Sequence, residues 1–390
     1  MIKLIKSTFY KEKLTKQKLI KFISRAKQLS FGSECVKFEQ RFAKWQGRKY
    51  CVFLNSGSSA NLAIIQALLN LDRIKKEDKV GFSAITWSTN VMPLIQLGLQ
   101  PIPIDIEIET LNVSEQKLDE VLQKTNLRML FLTNLLGFCD NIDKIRDLCK
   151  AKKIILIEDN CESLGTIYKN KKLGNYCLAS TFSFYVGHHM STIEGGAVCT
   201  DDENLATMLR IIRAHGWDRN LDLENKRSIR KEFKINSTFY ARYSFYDLGY
   251  NLRPTEINGF IGNIQINFLD EIIQKRNANF MKMAGPIYQQ RKIYYPIRYN
   301  HLDFLSSFAI PVIARSKKIR NELVKKCKGK VEIRPIVGGN IASQPFFCKY
   351  QQSDKVMLAN AKLIHKQGLY FANNPELTEK EIKTIINVFS

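Results

Sequence analysis

The sequence predicts a two-domain α/β protein whose larger domain has helices on both faces of a mostly parallel sheet. Short apolar runs alternate with longer amphipathic stretches from about residue 50 to residue 216, which is the pattern of strands and helices taking turns. The length of 390 residues suits two domains better than one. Because the rhythm changes near residue 250, we predict a large three-layer domain over residues 1–250 and a smaller α+β domain over residues 251–390.

Seven apolar runs are the predicted strands of the large domain. They are residues 51–54, 80–85, 102–104, 129–136, 154–158, 180–184 and 197–200. Apolar residues recur every three or four positions at 60–71 and 203–216, which predicts helices there. A helical segment is predicted before the first strand.

The small domain has fewer predicted elements. One long helix is predicted over residues 254–280 and leads into this domain. Strands are predicted at 307–313 and 331–336, on either side of a basic helix near residues 316–326. The mixture of strands and helices gives the α+β class.

The composition excludes several kinds of partner. The net charge is +23, but the basic residues are spread along the chain and no nucleic-acid-binding spacing accompanies them, so no nucleic acid is predicted. Nine cysteines stand singly, without metal-site spacing, so no metal site is predicted and a reducing cytoplasm is expected. Residues 1–18 lack the apolar core of a secretory signal. Prolines and amides interrupt the apolar stretch 80–104, which is therefore not predicted to span a membrane.

A candidate anion site lies at the first strand–helix junction, in 51-CVFLNSGSSANLAIIQALL-69. A strand that ends in a small-residue turn and opens into a helix exposes backbone N–H groups at the positive end of the helix dipole. Gly57 would let the backbone approach a phosphate closely, and Ser58 and Ser59 would add hydroxyl donors. The alternative is an ordinary helix cap, which the segment alone does not exclude.

Carboxylates follow the fifth predicted strand, in 154-IILIEDNCESLG-165. Asp159 falls at the carboxyl edge of the sheet, where ligands bind in α/β proteins, and Glu162 follows three residues later. A carboxylate in this place could keep a heterocyclic nitrogen protonated. Asp159 could equally cap the next turn.

A third segment, 182-FSFYVGHHMSTIEGGAVCTDD-202, joins two predicted strands. Ser183 stands near the end of the first strand, and a glycine pair precedes the second. His188 and His189 lie between them, and residues 173–205 contain no lysine.

These three segments together resemble the fold-type I enzymes that depend on pyridoxal phosphate (PLP), and specifically the sugar aminotransferases of DegT/DnrJ/EryC1/StrS type. The resemblance runs from about residue 26 to residue 340. It implies an aspartate-aminotransferase-like fold with a large three-layer domain and a smaller C-terminal domain. It also implies that Gly57, Ser58 and Ser183 bind the PLP phosphate.

Further roles for cofactor-binding residues follow from the same resemblance. Trp87 matches the aromatic residue that stacks on the pyridine ring, and Asp159 matches the partner of the ring nitrogen. Glu162 takes the place of the residue near the ring's phenolic oxygen. Asn251 matches an asparagine that reaches the phosphate from the partner subunit, which implies a homodimer with shared active sites.

One residue departs from the aminotransferase pattern. Five residues after Ser183, the aminotransferases have the lysine that binds PLP covalently, and this sequence has His188. Imidazole forms no stable imine, so the cofactor is predicted not to be covalently attached and His188 is predicted to move protons. The PLP-dependent sugar 3-dehydratases share this histidine.

Within that subgroup, the resemblance is greatest to members that act on GDP-4-keto-6-deoxymannose. It implies that L-glutamate converts PLP to pyridoxamine phosphate (PMP), that the C3 hydroxyl of the nucleotide-linked 4-keto-6-deoxy sugar is lost, and that ammonia and 2-oxoglutarate are released. His215 matches a second histidine near the active site, although a polar residue at a helix end is an equal alternative. His189 is predicted to be structural.

Arginines are the candidates for the nucleotide diphosphate. Arg219, Arg253 and Arg334 offer paired donors to phosphate oxygens, but each could instead form a salt bridge. CDP-sugar relatives carry a [2Fe–2S] cluster after the segment that 215–220 resembles. Because residues 200–326 contain no cysteine, neither that cluster nor its reductase partner is expected here.

Three alternatives remain open from the sequence. The protein could be a nucleotide-sugar 4-aminotransferase in which another lysine reaches the cofactor. It could be a 3-dehydratase for a different nucleotide-linked 4-keto sugar, since a few hydrogen bonds decide the choice of sugar. It could also be an inactive relative that binds a ligand.

Overall fold

The computed structural model describes residues 1–351 and 357–390. Its helices are α1 (Glu12–Arg25), α2 (Ser33–Gln46), α3 (Gly57–Asn70), α4 (Met92–Gln96), α5 (Glu115–Leu122), α6 (Ile142–Ala151), α7 (Glu203–Arg213), α8 (Leu223–Glu232), α9 (Glu256–Gln265), α10 (Leu269–Tyr288), α11 (Lys317–Cys327), α12 (Pro345–Tyr350), α13 (Ala359–Gln367) and α14 (Glu379–Phe389). Its strands are β1 (Tyr50–Leu54), β2 (Lys79–Ser83), β3 (Gln100–Ile104), β4 (Met129–Thr133), β5 (Ile155–Asp159), β6 (Ile167–Tyr168), β7 (Lys171–Lys172), β8 (Ala179–Ser183), β9 (Gly196–Thr200), β10 (Ala309–Ile313), β11 (Ile333–Pro335) and β12 (Gly368–Ala372).

The large sheet has seven strands in the order β1-β9-β8-β5-β4-β2-β3. β9 runs antiparallel to both of its neighbours, and the pairs from β8 through β3 are parallel. All seven predicted strands are present, and the mostly parallel α/β class is confirmed. Because parallel strands end at the same edge, the turns after β1, β2, β4, β5 and β8 meet there.

Both faces of the large sheet are buried, as the alternation of side chains along β1 illustrates. Val52 and Leu54 pack into the cluster that contains α3 and α7. Cys51 and Phe53 point the other way, into an aromatic cluster with α2. Since side chains alternate along a strand, one short apolar run supplies both layers of core.

A buried ion pair fixes α2 and α7 to β1. Arg213, on α7, is 1% exposed and pairs with Glu39 of α2. Arg213 Nη1 donates to the backbone oxygen of Phe53 at 2.8 Å, and the Phe53 N–H donates to Glu39 at 2.8 Å. Because both charges are paired and hydrogen-bonded, their burial is tolerated and the end of β1 is held in position.

The small sheet has the order β10-β12-β11, with antiparallel pairing throughout. Its central strand, β12, was not predicted from the sequence. The first residues of the chain join this region, because Ile2 forms a parallel bridge with Val331. The Ile2 N–H donates to the backbone oxygen of Lys330 at 2.8 Å, and the Glu332 N–H donates to the backbone oxygen of Ile2 at 2.8 Å. The start of the chain therefore packs beside β11.

The long helix predicted over 254–280 is two helices. α9 ends at Gln265, a 3₁₀ turn covers residues 266–268, and α10 begins at Leu269. α9 packs closely on α2, because a Cβ atom at Gly262 would lie 2.7 Å from a ring carbon of Phe38. α10 packs against α14 instead.

Across residues 1–351 and 357–390, no helix combines the length and the apolar character needed to cross a membrane. The apolar stretch 80–104 forms β2, α4 and β3. This agrees with the strands predicted at residues 80–85 and 102–104.

Candidate active site

The carboxyl ends of the parallel strands converge on a cavity of about 450 Å³, which we call the central cavity. Turns after β1, β2, β4, β5 and β8 contribute to its wall. Of the residues predicted from the sequence, those that line it are Gly57, Ser58, Trp87, Asp159, Glu162, Ser183, His188 and Arg334. Segments more than 100 residues apart in sequence thus contribute to one site.

The junction of β1 and α3 has the geometry of an anion site. Ser56 caps α3 by accepting a hydrogen bond from the Ser59 N–H at 3.0 Å. The N–H groups of Gly57 and Ser58 lie in the first turn, where a helix gives them no intrahelical acceptor. A Cβ atom at Gly57 would lie 2.6 Å from the Ser183 Cβ. Glycine therefore lets the start of the helix meet the end of β8.

Asp159 is the last residue of β5 and is 4% exposed. Its Oδ2 accepts hydrogen bonds from the side-chain amides of Asn61 at 3.1 Å and Asn90 at 2.7 Å. Its Oδ1 accepts from the Cys161 N–H at 2.9 Å, which is the turn contact of the alternative explanation. The two amides come from other elements, so the carboxylate is oriented by more than its own turn.

Glu162 carries a perturbed carboxyl group. Its Oε2 accepts a hydrogen bond from the Leu136 N–H at 2.9 Å. Burial raises the pKa of Glu162 to about 8, and the negative charge of Asp159 adds to the rise, although the Leu136 N–H opposes it. The group is therefore protonated at neutral pH and can donate a hydrogen bond to an oxygen atom in the cavity.

His188 lies in the loop between β8 and β9, where its backbone N–H donates to the backbone oxygen of Tyr185 at 2.9 Å. The pKa of His188 is lowered to about 4, mainly by burial and also by the charge of Arg276, while the charge of Asp159 opposes the shift. The imidazole is neutral at neutral pH, so one ring nitrogen can accept a proton. Within the described part of the chain, its Nδ1 has no hydrogen-bond partner.

His189 has different surroundings from its neighbour. It is 4% exposed, and its Nε2 lies 2.9 Å from the backbone oxygen of Ser306. It is not among the residues that line the central cavity in the described chain. These contacts support the prediction that His189 is structural.

The donor set of the central cavity fits pyridoxal phosphate. Gly57 and Ser58 provide an anion site, Asp159 provides an oriented carboxylate, and Trp87 is 55% exposed, with an aromatic face open to a planar ring. The described residues of the lining include no lysine. The cavity therefore offers a proton-transfer group, His188, where a lysine amine would be needed for covalent attachment.

Arg334 lines the cavity from β11, on the side of the small sheet. Its Nη2 donates to Glu332 Oε1 at 3.0 Å. The other oxygen of Glu332 accepts the Leu4 N–H at 2.9 Å, and Leu4 itself lines the cavity. The first residues of the chain thus contribute to the wall, which the sequence did not predict.

Several lining residues were missed by the sequence reasoning. Asn61 and Asn90 orient Asp159, and Arg276, Tyr370 and Asn373 complete the wall toward the small sheet. Asn61 carried a signal, because it is a polar residue inside an apolar stretch of α3. Arg276 carried none, because a basic residue in the middle of a helix usually faces solvent.

The other predicted residues, His215, Arg219, Asn251 and Arg253, are not among those that line the central cavity in the described chain. Instead they form a group around Trp217, which we call the His215 cluster. The Arg219 guanidinium lies 3.9 Å from the Trp217 ring centre. Arg253 Nη2 lies 3.4 Å from His215 Nε2, and Arg253 Nε donates to Asn251 Oδ1 at 2.9 Å.

Next to the His215 cluster the chain exposes large apolar side chains. This aromatic surface consists of Phe239, Tyr240, Tyr243, Phe245 and Leu248, which are 58–72% exposed. Arg219 stacks on it, with its guanidinium 4.9 Å from the Tyr243 ring centre. Exposed apolar side chains grouped in this way are typical of contact surfaces.

Comparison with known proteins gives a consistent result over the whole chain. The sequence pattern of the DegT/DnrJ/EryC1/StrS aminotransferase family matches residues 11–390. A GDP-4-keto-6-deoxy-D-mannose 3-dehydratase of Escherichia coli O55:H7 is 35% identical over 361 residues, covering 92% of this chain and 92% of that protein.

Two solved structures are similar over their full length. The E. coli GDP-4-keto-6-deoxy-D-mannose-3-dehydratase with bound hydrated PLP is 32% identical, with a TM-score of 0.89 and coverage of 100% of this chain and 99% of that one. GDP-4-keto-6-deoxymannose-3-dehydratase with a trapped PLP-glutamate geminal diamine is 33% identical, with a TM-score of 0.89 and complete coverage of both chains.

Proposed function

Because the chain belongs to the DegT/DnrJ/EryC1/StrS aminotransferase family, we propose that it is a PLP-dependent 3-dehydratase of GDP-4-keto-6-deoxymannose. The PLP-glutamate adduct in a similar dehydratase structure supports L-glutamate as the amino donor. The sugar loses one oxygen atom at C3, and L-glutamate becomes 2-oxoglutarate and ammonia. Atoms and electrons balance, since the donor is oxidised by two electrons and the sugar is reduced by two.

One observation carries the choice between dehydratase and aminotransferase. His188 occupies the loop position where the family's aminotransferases have a lysine, and residues 173–205 contain no lysine. Two relatives that are 35% and 34% identical, and that match over 92% and 95% of the chain, are named as GDP-4-keto-6-deoxy-D-mannose 3-dehydratases. A neutral imidazole accepts and returns protons but holds no stable imine.

The cavity residues have separate tasks in this reaction. Gly57, Ser58 and Ser183 bind the phosphate, and Asp159 holds a proton on the pyridine nitrogen. The bound cofactor supplies a conjugated path that accepts the electrons of the substrate. Trp87 packs on the ring. Because the cofactor is not covalently attached, these contacts are what retain it.

His188 moves the protons. Since burial lowers its pKa to about 4, the imidazole is a free acceptor at neutral pH. After it has accepted a proton, His188 can return it to the departing C3 hydroxyl, because the same group can serve as base and acid in turn. Glu162 is protonated at neutral pH and donates a hydrogen bond toward the ring oxygen.

The His215 cluster belongs to a neighbouring subunit's active site in this proposal. His215, Arg219, Asn251 and Arg253 are grouped beside the aromatic surface instead of in their own central cavity. In a homodimer with twofold symmetry, the aromatic surface of one subunit is covered and the cluster is presented to the partner. Asn251 then reaches the phosphate, and Arg219 and Arg253 join Arg334 at the nucleotide diphosphate.

The direct test is product analysis. Purified protein is incubated with PLP, L-glutamate and GDP-4-keto-6-deoxymannose, and the products are read by mass spectrometry. We expect a sugar that has lost the C3 oxygen, with 2-oxoglutarate and ammonia in equal amounts. A stable 4-amino sugar would identify an aminotransferase instead. Other nucleotide-linked 4-keto sugars, tested in the same way, establish the substrate preference.

A further inference from the structure

The wall of the central cavity contains two cationic side chains in the described chain, Arg276 and Arg334. They differ in exposure and in partners. Arg334 is exposed and pairs with the carboxylate of Glu332 at 3.0 Å. Arg276 is 4% exposed, and within residues 1–351 and 357–390 no carboxylate lies within salt-bridge distance of it.

Backbone oxygens surround the guanidinium of Arg276. Its Nη1 donates to Phe308 at 2.9 Å and to Asn373 at 2.5 Å. Its Nη2 makes a long contact of 3.4 Å with the backbone oxygen of His188. Its Nε has no partner in the described part of the chain. These neutral acceptors orient the group but do not balance its charge.

A buried cation without a counter-charge is costly, and such groups occur at functional sites. Burial lowers the pKa of Arg276 to about 9, so the group is still charged at neutral pH. Stability alone would favour an apolar side chain here. The position beside His188 explains the charge if an anion enters the cavity during the reaction.

The reactants narrow the choice of anion. The cofactor phosphate is accounted for by the junction of β1 and α3, and the diphosphate of the nucleotide sugar by exposed arginines. The amino donor has two further carboxylates, and it reacts in the part of the cavity where His188 lies. We propose that Arg276 binds a carboxylate of the amino donor and so selects a dicarboxylic amino acid. The inference rests on the proposed cofactor chemistry, but not on the fate of the sugar.

Donor selectivity provides the test. L-Glutamine lacks the side-chain carboxylate of L-glutamate, and 4-aminobutyrate lacks its α-carboxylate. Conversion of bound PLP to PMP is followed by absorbance with each donor, for the wild type, Arg276→Gln and the control Arg334→Gln. Arg276→Gln keeps amide donors for the Phe308 and Asn373 oxygens and removes the charge.

We expect Arg276→Gln to lower kcat/KM for L-glutamate by about 100-fold, as for loss of a charged hydrogen-bonded partner. This variant should no longer prefer L-glutamate over one of the two analogues. The carboxylate that this analogue lacks is the one that Arg276 binds. Arg334→Gln should keep both preferences. Equal slowing with all three donors would make Arg276 merely structural and overturn the proposal, as would loss of preference in Arg334→Gln alone.

A binding measurement needs neither cofactor nor catalysis. Calorimetry of glutarate with the cofactor-free protein is expected to show binding that Arg276→Gln weakens at least tenfold. If that variant does not fold, glutarate binding is measured with Arg276→Lys instead. We expect weaker binding, because lysine keeps the charge but cannot contact three oxygens and the ligand together. Glutarate affinity unchanged in Arg276→Lys would contradict the proposal. A 4-amino sugar product would overturn the dehydratase assignment and leave this inference standing.

Discussion

Burial moves the pKa values of two titratable groups in the central cavity in opposite directions. Burial holds Glu162 in its acid form, with a pKa of about 8, and holds His188 in its neutral form, with a pKa of about 4. At neutral pH the carboxyl group therefore carries a proton and the imidazole accepts one. Groups whose surroundings push their pKa values apart in this way mark acid and base roles.

Glu162 predicts a pH-dependent stability. Its pKa in the folded protein is raised from 4.5 to about 8. Its contribution to the free energy of unfolding is therefore complete below pH 4.5 and is lost as the pH rises through 8. Glu162→Gln has no such loss and still accepts the Leu136 N–H. We expect the cofactor-free variant to gain up to about 4 kcal/mol in unfolding free energy over the wild type between pH 4.5 and 8. Urea unfolding at several pH values measures this, and parallel curves would contradict it.

His188 predicts a separation of binding from chemistry. His188→Asn should slow the conversion of bound PLP by L-glutamate by about 10²–10⁴-fold, because it removes the base. PLP affinity, read by absorbance after dialysis, should stay within several-fold of the wild type, since phosphate and ring contacts remain. His189→Asn is the neighbouring control, and we expect a lower melting temperature with little loss of rate. Full activity in His188→Asn would refute the assigned role.

Single residues were predictable from the sequence where they end a strand. Asp159 and Ser183 close β5 and β8, and parallel strands bring such positions to one edge. Asn61 and Arg276 were not predictable, because each lies inside a helix, where only the packing of distant segments turns it toward the cavity. Their roles depend on contacts that cross about 100 residues of sequence.

Among the secondary-structure elements, β1, α3, β8 and β9 meet at the proposed phosphate site. A Cβ atom at Gly57 would approach Ser183, and one at Gly196 would lie 2.2 Å from the Ser56 oxygen. Two glycines therefore let three chain segments meet behind the first turn of α3. The N–H groups of that turn are left facing the cavity.

Gly57 predicts how cofactor affinity depends on this close packing. A methyl group in Gly57→Ala would push the start of α3 away from β8, so we expect PLP affinity to fall at least tenfold, or about 1.4 kcal/mol. Gly285→Ala is the matched control, because a Cβ atom there meets nothing within 4 Å. PLP titration followed by absorbance or fluorescence compares the two. Equal affinities would show that the junction does not hold the phosphate.

The elements of the large sheet were easier to predict than those of the small one. Each large-sheet strand is a short apolar run bounded by turns. β12 (368-GLYFA-372) directly follows α13 with no loop between them, and so it was missed although it is the central strand of the small sheet. The break at 266–268 was also missed, because a 3₁₀ turn preserves the apolar pattern and needs no glycine or proline.

Considered as a whole, the molecule carries the residues predicted for its active site in two separate groups. The central cavity holds His188 and the residues proposed to bind the cofactor, except Asn251. The His215 cluster and the exposed aromatic surface lie elsewhere on the chain. This separation is what a dimer with shared active sites requires, and periodicity in one chain does not reveal which surface a second copy covers.

Shared active sites predict complementation between inactive subunits. His188→Asn and Asn251→Ala chains are co-expressed with different tags, and the mixed dimer is purified. One of its two sites then has an intact His188 and an intact Asn251, so we expect about half of the wild-type activity in a twofold dimer. Each variant alone should be nearly inactive. An inactive mixed dimer would place both residues in the site of one chain.

The central claim is that the protein uses its cofactor without attaching it to a side chain. Borohydride reduction of the PLP-loaded protein, followed by intact-mass and peptide mass spectrometry, tests this most directly. We expect the mass of the unmodified chain, with reduced cofactor free in solution and no pyridoxyl group on any lysine. A stoichiometric pyridoxyl-lysine peptide would contradict the claim and make the protein an aminotransferase with an unrecognised lysine.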